Sequence, residues 1–124
     1  MIKHYDCGIF PRMLVLADSL DEVIDSGDYE CVDEDGFSKR DEAVATTYHA
    51  NYGDRGCAVL VIFRPVSIGA IAHESLHITR TIIEHLPCEL CEETEEVWGY
   101  AVGWCADRIF EFCKERELLD VNLK

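Results

Sequence analysis

The residues best suited to chemistry are a run of five, His-Glu-Ser-Leu-His, at positions 73–77. On an α-helix, residues four apart lie on one face, so His73 and His77 can hold one metal ion between them. Glu74 would then project beside that ion, where a general base must stand. The pattern therefore predicts a hydrolytic metal site on a helix.

A third ligand has several candidates in the acidic run that follows. Two histidines and one carboxylate would leave a fourth zinc position open for water, which is typical of catalytic rather than structural zinc sites. Composition alone does not choose among the four glutamates of this run. They are Glu92, Glu93, Glu95 and Glu96.

A long helix is predicted to carry the motif, from Ile68 to Leu86. Ser67 stands at its N-cap position, apolar residues recur at helical spacing with Thr79 filling the one gap, and Pro87 closes it. The polar residues form a stripe of their own, separate from the predicted core face. This stripe consists of His73, His77, Arg80 and Glu84.

A second long helix is predicted from Glu93 to Leu118. Glutamates crowd its first turns, where the helix dipole favours anions. Gly99 and Gly103 lack side chains, so we expect them to let this helix approach the motif helix closely. One stripe of the helix would face a shared metal, and it contains Glu96, Tyr100, Gly103 and Asp107.

The first part of the chain predicts a strand and a short helix. Ile9 to Ala17 is apolar, with a proline near its start, and indicates an N-terminal strand. Ser19 and Glu22 fit a capping box for a helix over residues 20–26, which Gly27 would end.

Residues 28–42 form an acidic excursion, in which Tyr29 to Val32 could pair briefly with another strand. Two segments rich in β-branched and apolar residues follow, Ala43 to Tyr52 and Cys57 to Arg64, separated by a glycine-containing turn. Together these elements predict an α+β fold. A small, mostly antiparallel sheet would pack on the motif helix and the C-terminal helix, in a single domain over residues 1–124.

Composition limits the classes of partner. The chain has 25 acidic and 11 basic side chains, for a net charge of −14, so direct binding to nucleic acid is not expected. The longest uninterrupted apolar run, residues 57–63, is far too short to cross a membrane. Seven cysteines without a secretory signal predict reduced thiols in the cytoplasm.

Cys88 and Cys91 form a C-x-x-C pair, with His85 three residues before it. The pair could bind a second metal or form a disulfide. No second C-x-x-C is present to complete a structural zinc site, and no thioredoxin-like pattern surrounds it. A partly buried connector is the alternative interpretation. Cys105, Cys113 and both tryptophans are expected to pack in the core.

The sequence resembles the gluzincin metallopeptidases, and especially their smallest single-domain members. It is closer still to small phage and prophage proteins of Bacteroides-type hosts. The resemblance is carried by three runs: Ile-Phe-Pro-Arg at 9–12, Ile-Ala-His-Glu-Ser-Leu-His at 71–77, and Glu-Val-Trp-Gly-Tyr-Ala-Val-Gly-Trp at 96–104.

The resemblance implies that His73 and His77 bind zinc, that Glu96 is the third ligand, and that Glu74 activates water. An acidic residue that orients a histidine usually follows the third ligand in the family; Asp107 and Glu111 are candidates, although neither spacing matches well. The resemblance also implies a single zincin-like domain over residues 1–124, and the substrate-binding second domain of the larger enzymes has no counterpart here. A second oxyanion donor usually helps such chemistry, and the candidates are Tyr100 and His49.

These observations predict a zinc-dependent metallopeptidase-like hydrolase that acts on a peptide or protein. A peptide would add as a strand along an exposed edge of the hairpin, supplied by either of its two segments. The alternative is a zinc-binding protein with little or no activity, in the host cytoplasm or associated with the virion. Its acidic surface would then bind a partner.

Overall fold

A central sheet organises the fold in the computed structural model, which describes residues 1–8, 10–38, 43–84 and 86–121. Five strands among these residues follow the spatial order β1-β2-β5-β4-β3. The strands are β1 (Ile2–Tyr5), β2 (Met13–Ala17), β3 (Tyr29–Cys31), β4 (Ala45–Tyr52) and β5 (Arg55–Ile62).

The α+β class and the mostly antiparallel sheet are confirmed. Three of the four strand pairs are antiparallel, while β2 and β5 pair in parallel. All five residues of β2 and the last six of β5 are buried, because these strands lie inside the sheet with both faces covered. The strand predicted from Ile9 begins at Met13 in the structure, four residues later than predicted. Ile9 itself lies outside the described residues.

The short helix α1 (Leu20–Ser26) has the predicted bounds. The Ser19 side chain accepts a hydrogen bond from the backbone N–H of Glu22, and Gly27 ends the helix at φ 70°, a conformation that costs glycine little. The hairpin of β4 and β5 is also confirmed, with Gly53 at its turn (φ 64°).

Two long helices follow, α2 (Ile68–Ile83) and α3 (Glu95–Glu115), each shorter than predicted. The Ser67 side chain caps α2 by accepting from the Ala70 N–H. The helices are antiparallel, because the residue before Ser67, Val66, donates its N–H to the Leu118 carbonyl just after α3. None of the helices described is both long and apolar enough to cross a bilayer.

The two faces of the sheet are covered by different elements. α2 and α3 cover one face, where Leu60 of β5 packs in a cluster with Ile78 and Phe112. α1 covers the other face, where Val23 packs in a cluster with Val59. Burial of such side chains supplies most of the stabilising free energy of a small domain.

The contact between α2 and α3 does not use the glycines, so that prediction was wrong. A Cβ atom built on Gly99 or Gly103 meets nothing within 4 Å, because both residues face away from α2. The small residues of the contact belong to α2 instead. Ser75 and Thr79 are buried, with their hydroxyl groups donating to the carbonyls of Ile71 and Ser75.

The seven cysteines are free thiols that differ in how deeply they are buried. Burial raises the pKa of Cys57, Cys105 and Cys113 to about 11 and that of Cys7 to about 12. The core positions predicted for Cys105 and Cys113 are confirmed. Cys91 of the C-x-x-C pair is exposed, whereas Cys88 is half-buried.

Alkylation should therefore be selective. At pH 8 a thiol with a pKa of about 11 is thiolate in roughly one molecule in a thousand, and the thiolate is the reactive form. We expect iodoacetamide to label exposed Cys91 first and to leave Cys57, Cys105 and Cys113 unlabelled in the folded protein. Peptide mass spectrometry measures this, with denatured protein as the fully labelled control. Early labelling of Cys113 would contradict the burial described.

Candidate functional site

The two motif histidines converge on one point in front of α2. The Nε2 atoms of His73 and His77 lie 3.1 Å apart, and both side chains are exposed. With zinc–nitrogen distances of about 2.0–2.1 Å, two nitrogens at this separation subtend roughly 100° at a shared ion, close to a tetrahedral angle. The pair therefore fits a single zinc ion as two of its ligands.

Glu74 stands beside this pair but points toward the sheet. Its side chain is half-buried, and its Oε2 accepts a hydrogen bond from the Thr47 hydroxyl at 3.2 Å. This contact holds one carboxylate oxygen against β4. The other oxygen has no hydrogen-bond partner among the described residues, so it can accept a proton.

A groove of about 520 Å³ runs between α2 and β4 and contains these side chains. The exposure of the predicted polar stripe is confirmed, because all four of its residues are exposed and line this groove. The residues around the groove are Ala43, Ala45, Thr46, Thr47, His49, His73, Glu74, His77, Arg80, Thr81 and Glu84.

One wall of the groove is β4, whose outer edge is unpaired over its first residues as far as the described part of the chain shows. Backbone groups of alternate β4 residues point outward, away from β5. At His49 these groups are paired, since its N–H donates to Asp33 and its C=O accepts from the Val32 N–H. At Ala45 and Thr47 the outward groups have no partner among the described residues. Of the two hairpin strands described, β4 can offer such an edge and β5 cannot, because β5 lies between β2 and β4, whereas β3 pairs only with residues 50–52 of β4.

His49 lies across the groove from the histidine pair and is held at both ring nitrogens. Its Nδ1 is 3.3 Å from an oxygen of Asp33, and its Nε2 is 2.8 Å from the Thr81 hydroxyl. The other Asp33 oxygen accepts the His49 backbone N–H at 2.9 Å. Asp33 thus fixes both the backbone and the ring of this residue.

Glu96 is not brought to the histidine pair. It is exposed in the first turn of α3, which lies beside the end of α2 because the helices are antiparallel. Thr79 of α2 contacts Cys105 of α3. Glu96 comes nine residues before Cys105, which places it about 13 Å from Cys105 along the axis of α3. Because the helices are antiparallel, this displacement leads away from His77. Among the residues described, no three His, Cys, Asp or Glu side chains gather closely enough to hold a metal ion.

Tyr100 lies in a different place from the groove. It is 77% exposed and borders a separate apolar pocket of about 330 Å³ between α2, α3 and the N-terminal segment. Phe10 and Trp104 also line that pocket, and Trp104 packs against the core as predicted. Trp98 does so as well, and its indole N–H donates to the Cys88 carbonyl. Asp107 and Glu111 are both exposed on α3.

Two residues of the site were not found from the sequence. Asp33 falls in the acidic excursion, which gives no sign that one of its carboxylates anchors a histidine. Thr47 was predicted to lie in a strand, but its contact with Glu74 depends on how α2 packs against β4. The suggestion that residues 29–32 pair with a strand was the one available signal, since that pairing places Asp33 beside His49.

Comparison of the chain with protein-family models, with curated protein sequences and with solved structures finds no match in any of the three.

Proposed function

We propose that this protein is a zinc-dependent peptide hydrolase whose reaction takes place in the groove between α2 and β4. The observation that carries the proposal is the convergence of the His73 and His77 ring nitrogens, 3.1 Å apart, next to Glu74. Two nitrogen ligands and an adjacent carboxylate with one oxygen unpaired are parts that metal-assisted hydrolysis of an amide uses, although no third protein ligand lies near them among the described residues.

The open edge of β4 would align the substrate. An extended peptide placed beside Ala45 and Thr47 could pair with their outward N–H and C=O groups, in the manner of an added strand. The side chain of Thr47 holds Glu74 at 3.2 Å, so the same strand that aligns the peptide also fixes the carboxylate. The peptide backbone would then pass in front of the histidine pair.

Glu74 would act as the general base. It would accept a proton from the attacking water and pass it to the leaving nitrogen as the peptide bond breaks. A zinc ion held by His73 and His77 would supply Lewis acidity at the scissile carbonyl and make the water more acidic. Burial of one Glu74 oxygen against Thr47 leaves the other free to carry the proton.

His49 would be the second donor to the developing oxyanion. It lines the groove, and Asp33 orients its ring through Nδ1. Its Nε2 would have to exchange the Thr81 hydroxyl for the substrate, since the two atoms are now 2.8 Å apart. Tyr100 remains a prediction from the sequence only, because its position beside the separate apolar pocket gives it no support.

Cleavage of a quenched-fluorescence peptide library tests the proposal. We expect hydrolysis that disappears on chelation, returns with added zinc, and falls by at least about 100-fold in His77→Ala, because one of two nitrogen ligands is lost. His4→Ala is the matched control, since His4 contacts Tyr29 and Tyr52 away from the groove. Full activity in His77→Ala would contradict the proposal.

The resemblance implies Glu96 as the third zinc ligand. In the described structure, however, Glu96 lies away from the histidine pair. On this geometry, Glu96→Ala should bind zinc as well as the wild type in the same preparations. If zinc binding instead fell as far as in His77→Ala, the first turns of α3 would have to reach the histidines in the metal-bound protein.

A second candidate function is favoured by the separation of Glu96 from the histidines. With two protein ligands near each other among the described residues, the chain could bind zinc without turnover and serve as an interaction protein, for example one associated with a virion. Its charge of −14 would suit a basic partner. The seven free cysteines support a reducing compartment, such as the cytoplasm, for either function.

A further inference from the structure

Arg80 lies in the groove, and none of the described residues forms an ion pair with it. It lies one turn beyond His77 on α2, its side chain is exposed, and no described carboxylate pairs with it. Four other arginines are engaged in ion pairs. These pairs are Arg12 with Glu84, Arg55 with Asp6, Arg108 with Glu111, and Arg116 with Asp18.

The acidic neighbour that could neutralise Arg80 is already occupied. Glu84 is one turn further along α2, but its Oε1 accepts from the Arg12 guanidinium at 2.8 Å. Glu74, at the other side of the motif, accepts from Thr47. In a chain with more than twice as many acidic as basic side chains, an arginine left unpaired in a groove has its donors available for a ligand.

Arg80 also lies at the end of the groove where the strand edge is closed. The outward groups of β4 are open at Ala45 and Thr47 but paired at His49, through Asp33 and Val32. The His49 ring contacts Thr81, the residue next to Arg80. A peptide that adds to the open edge must therefore end, or turn away, close to Arg80.

We propose that Arg80 binds a carboxylate of the substrate at this closed end. The planar guanidinium presents paired N–H donors that match a carboxylate, whereas it would repel the ammonium group of a peptide N-terminus. The carboxylate comes either from the C-terminus of the peptide or from an Asp or Glu side chain. This inference rests on the proposed function, because it takes the occupant of the groove to be a peptide.

The position of Arg80 limits how far this carboxylate lies from the bond that is cut. Arg80 is three residues from His77, or about 4.5 Å along the helix. An extended peptide rises about 3.3 Å per residue, and the Arg80 side chain can itself reach several ångströms, so the carboxylate falls within about one to three residues of the scissile bond. The substrate class is therefore peptides with a free carboxylate that close to the cleavage site.

Binding measurements on zinc-loaded Glu74→Gln protein test this inference without turnover. The probes are two pairs of fluorescent pentapeptides. The members of the first pair differ only in having a C-terminal carboxylate or a C-terminal amide. Both members of the second pair are C-terminal amides, and they differ only in having an internal Asp or an internal Asn. We expect at least one acid to bind about tenfold more tightly than its neutral partner. Adding Arg80→Gln should abolish that difference, and Arg80→Lys should keep part of it.

Lys114→Gln is the matched control, because it also removes one exposed positive charge, but from the end of α3. It should leave the preference for the acid unchanged. The inference is overturned if no peptide binds, if acid and neutral peptides bind equally, or if Arg80→Gln and Lys114→Gln behave alike. Which acid is preferred identifies the source of the carboxylate.

Failure of the proposed function gives a different result. If the acid is preferred through Arg80 but wild-type protein cleaves none of these peptides, the groove binds carboxylates and the hydrolase proposal fails. If the peptides are cleaved with equal efficiency whether acid or neutral, and Arg80→Gln changes nothing, the hydrolase proposal stands and the role of Arg80 fails.

Discussion

Replacing Glu74 by Gln is expected to lower peptide hydrolysis by about 10²–10⁴-fold while leaving zinc binding unchanged. The amide keeps the size of the side chain and can still accept the hydrogen bond from Thr47, but it cannot take a proton from water. The histidine pair is untouched by the change. Initial rates on the best library peptide, measured beside zinc content, give both quantities.

Glu84→Gln is the control for this substitution. Glu84 lines the same groove on the same helix, and the change removes an equal charge at an ion pair with Arg12. We expect its rate to remain within about threefold of the wild type, because an exposed ion pair contributes only about 0–1 kcal/mol. Hydrolysis that survives in Glu74→Gln, or falls equally in both variants, would remove Glu74 from the role of base.

The second large effect concerns stability and not chemistry. Phe112→Ala should lower the free energy of unfolding by about 3–5 kcal/mol, because it removes the largest fully buried side chain of the described core. Domains of this size have about 5–15 kcal/mol in total, so the variant would be close to unfolding. Urea denaturation followed by circular dichroism measures the difference.

Phe110→Ala is the matched comparison on the same helix. Phe110 is 37% exposed, whereas Phe112 is fully buried, so we expect the Phe110 variant to lose about 1 kcal/mol or less. Similar losses in the two variants would mean that α3 packs with a different face toward the sheet. That result would also reopen the position of Glu96, which depends on the rotation of the same helix.

The helices could be predicted because their signals are local. Ser19 and Ser67 cap α1 and α2 as their positions suggest, and Gly27 ends α1. The convergence of His73 and His77 follows from helix geometry alone, since residues four apart share a face. These features need no knowledge of the rest of the fold.

Long-range pairings could not be predicted in the same way. β1 is four residues long and is stabilised by pairing with β2. No local pattern in the sequence indicates this pairing. The parallel pairing of β2 with β5 joins segments about forty residues apart and leaves β4 as the strand beside the groove. The unpaired stretch of β4 arises because β3 is short and pairs only with residues 50–52, and this pairing could not be predicted, so the sequence left both hairpin strands as candidates.

The rotation of α3 is where the expectation for the site and the structure differ. Glu96 and Gly103 on one stripe, with Gly99 one turn before Gly103, suggested that this side of the helix faces α2. The apolar residues Cys105, Ile109 and Phe112 turn a different face of the helix inward, and the small residues of the contact come from α2. Burial of apolar area decided the rotation.

Zinc content after dialysis against excess zinc and then zinc-free buffer shows whether His73 and His77 hold a metal ion. The wild type, His73→Ala, His77→Ala and the His4→Ala control would be measured side by side by elemental analysis. We expect about one zinc per chain in the wild type and in His4→Ala, and little or none in the two motif variants. Absence of zinc from the wild type, or zinc unchanged in His77→Ala, would contradict the claim that the converging histidines hold a metal ion.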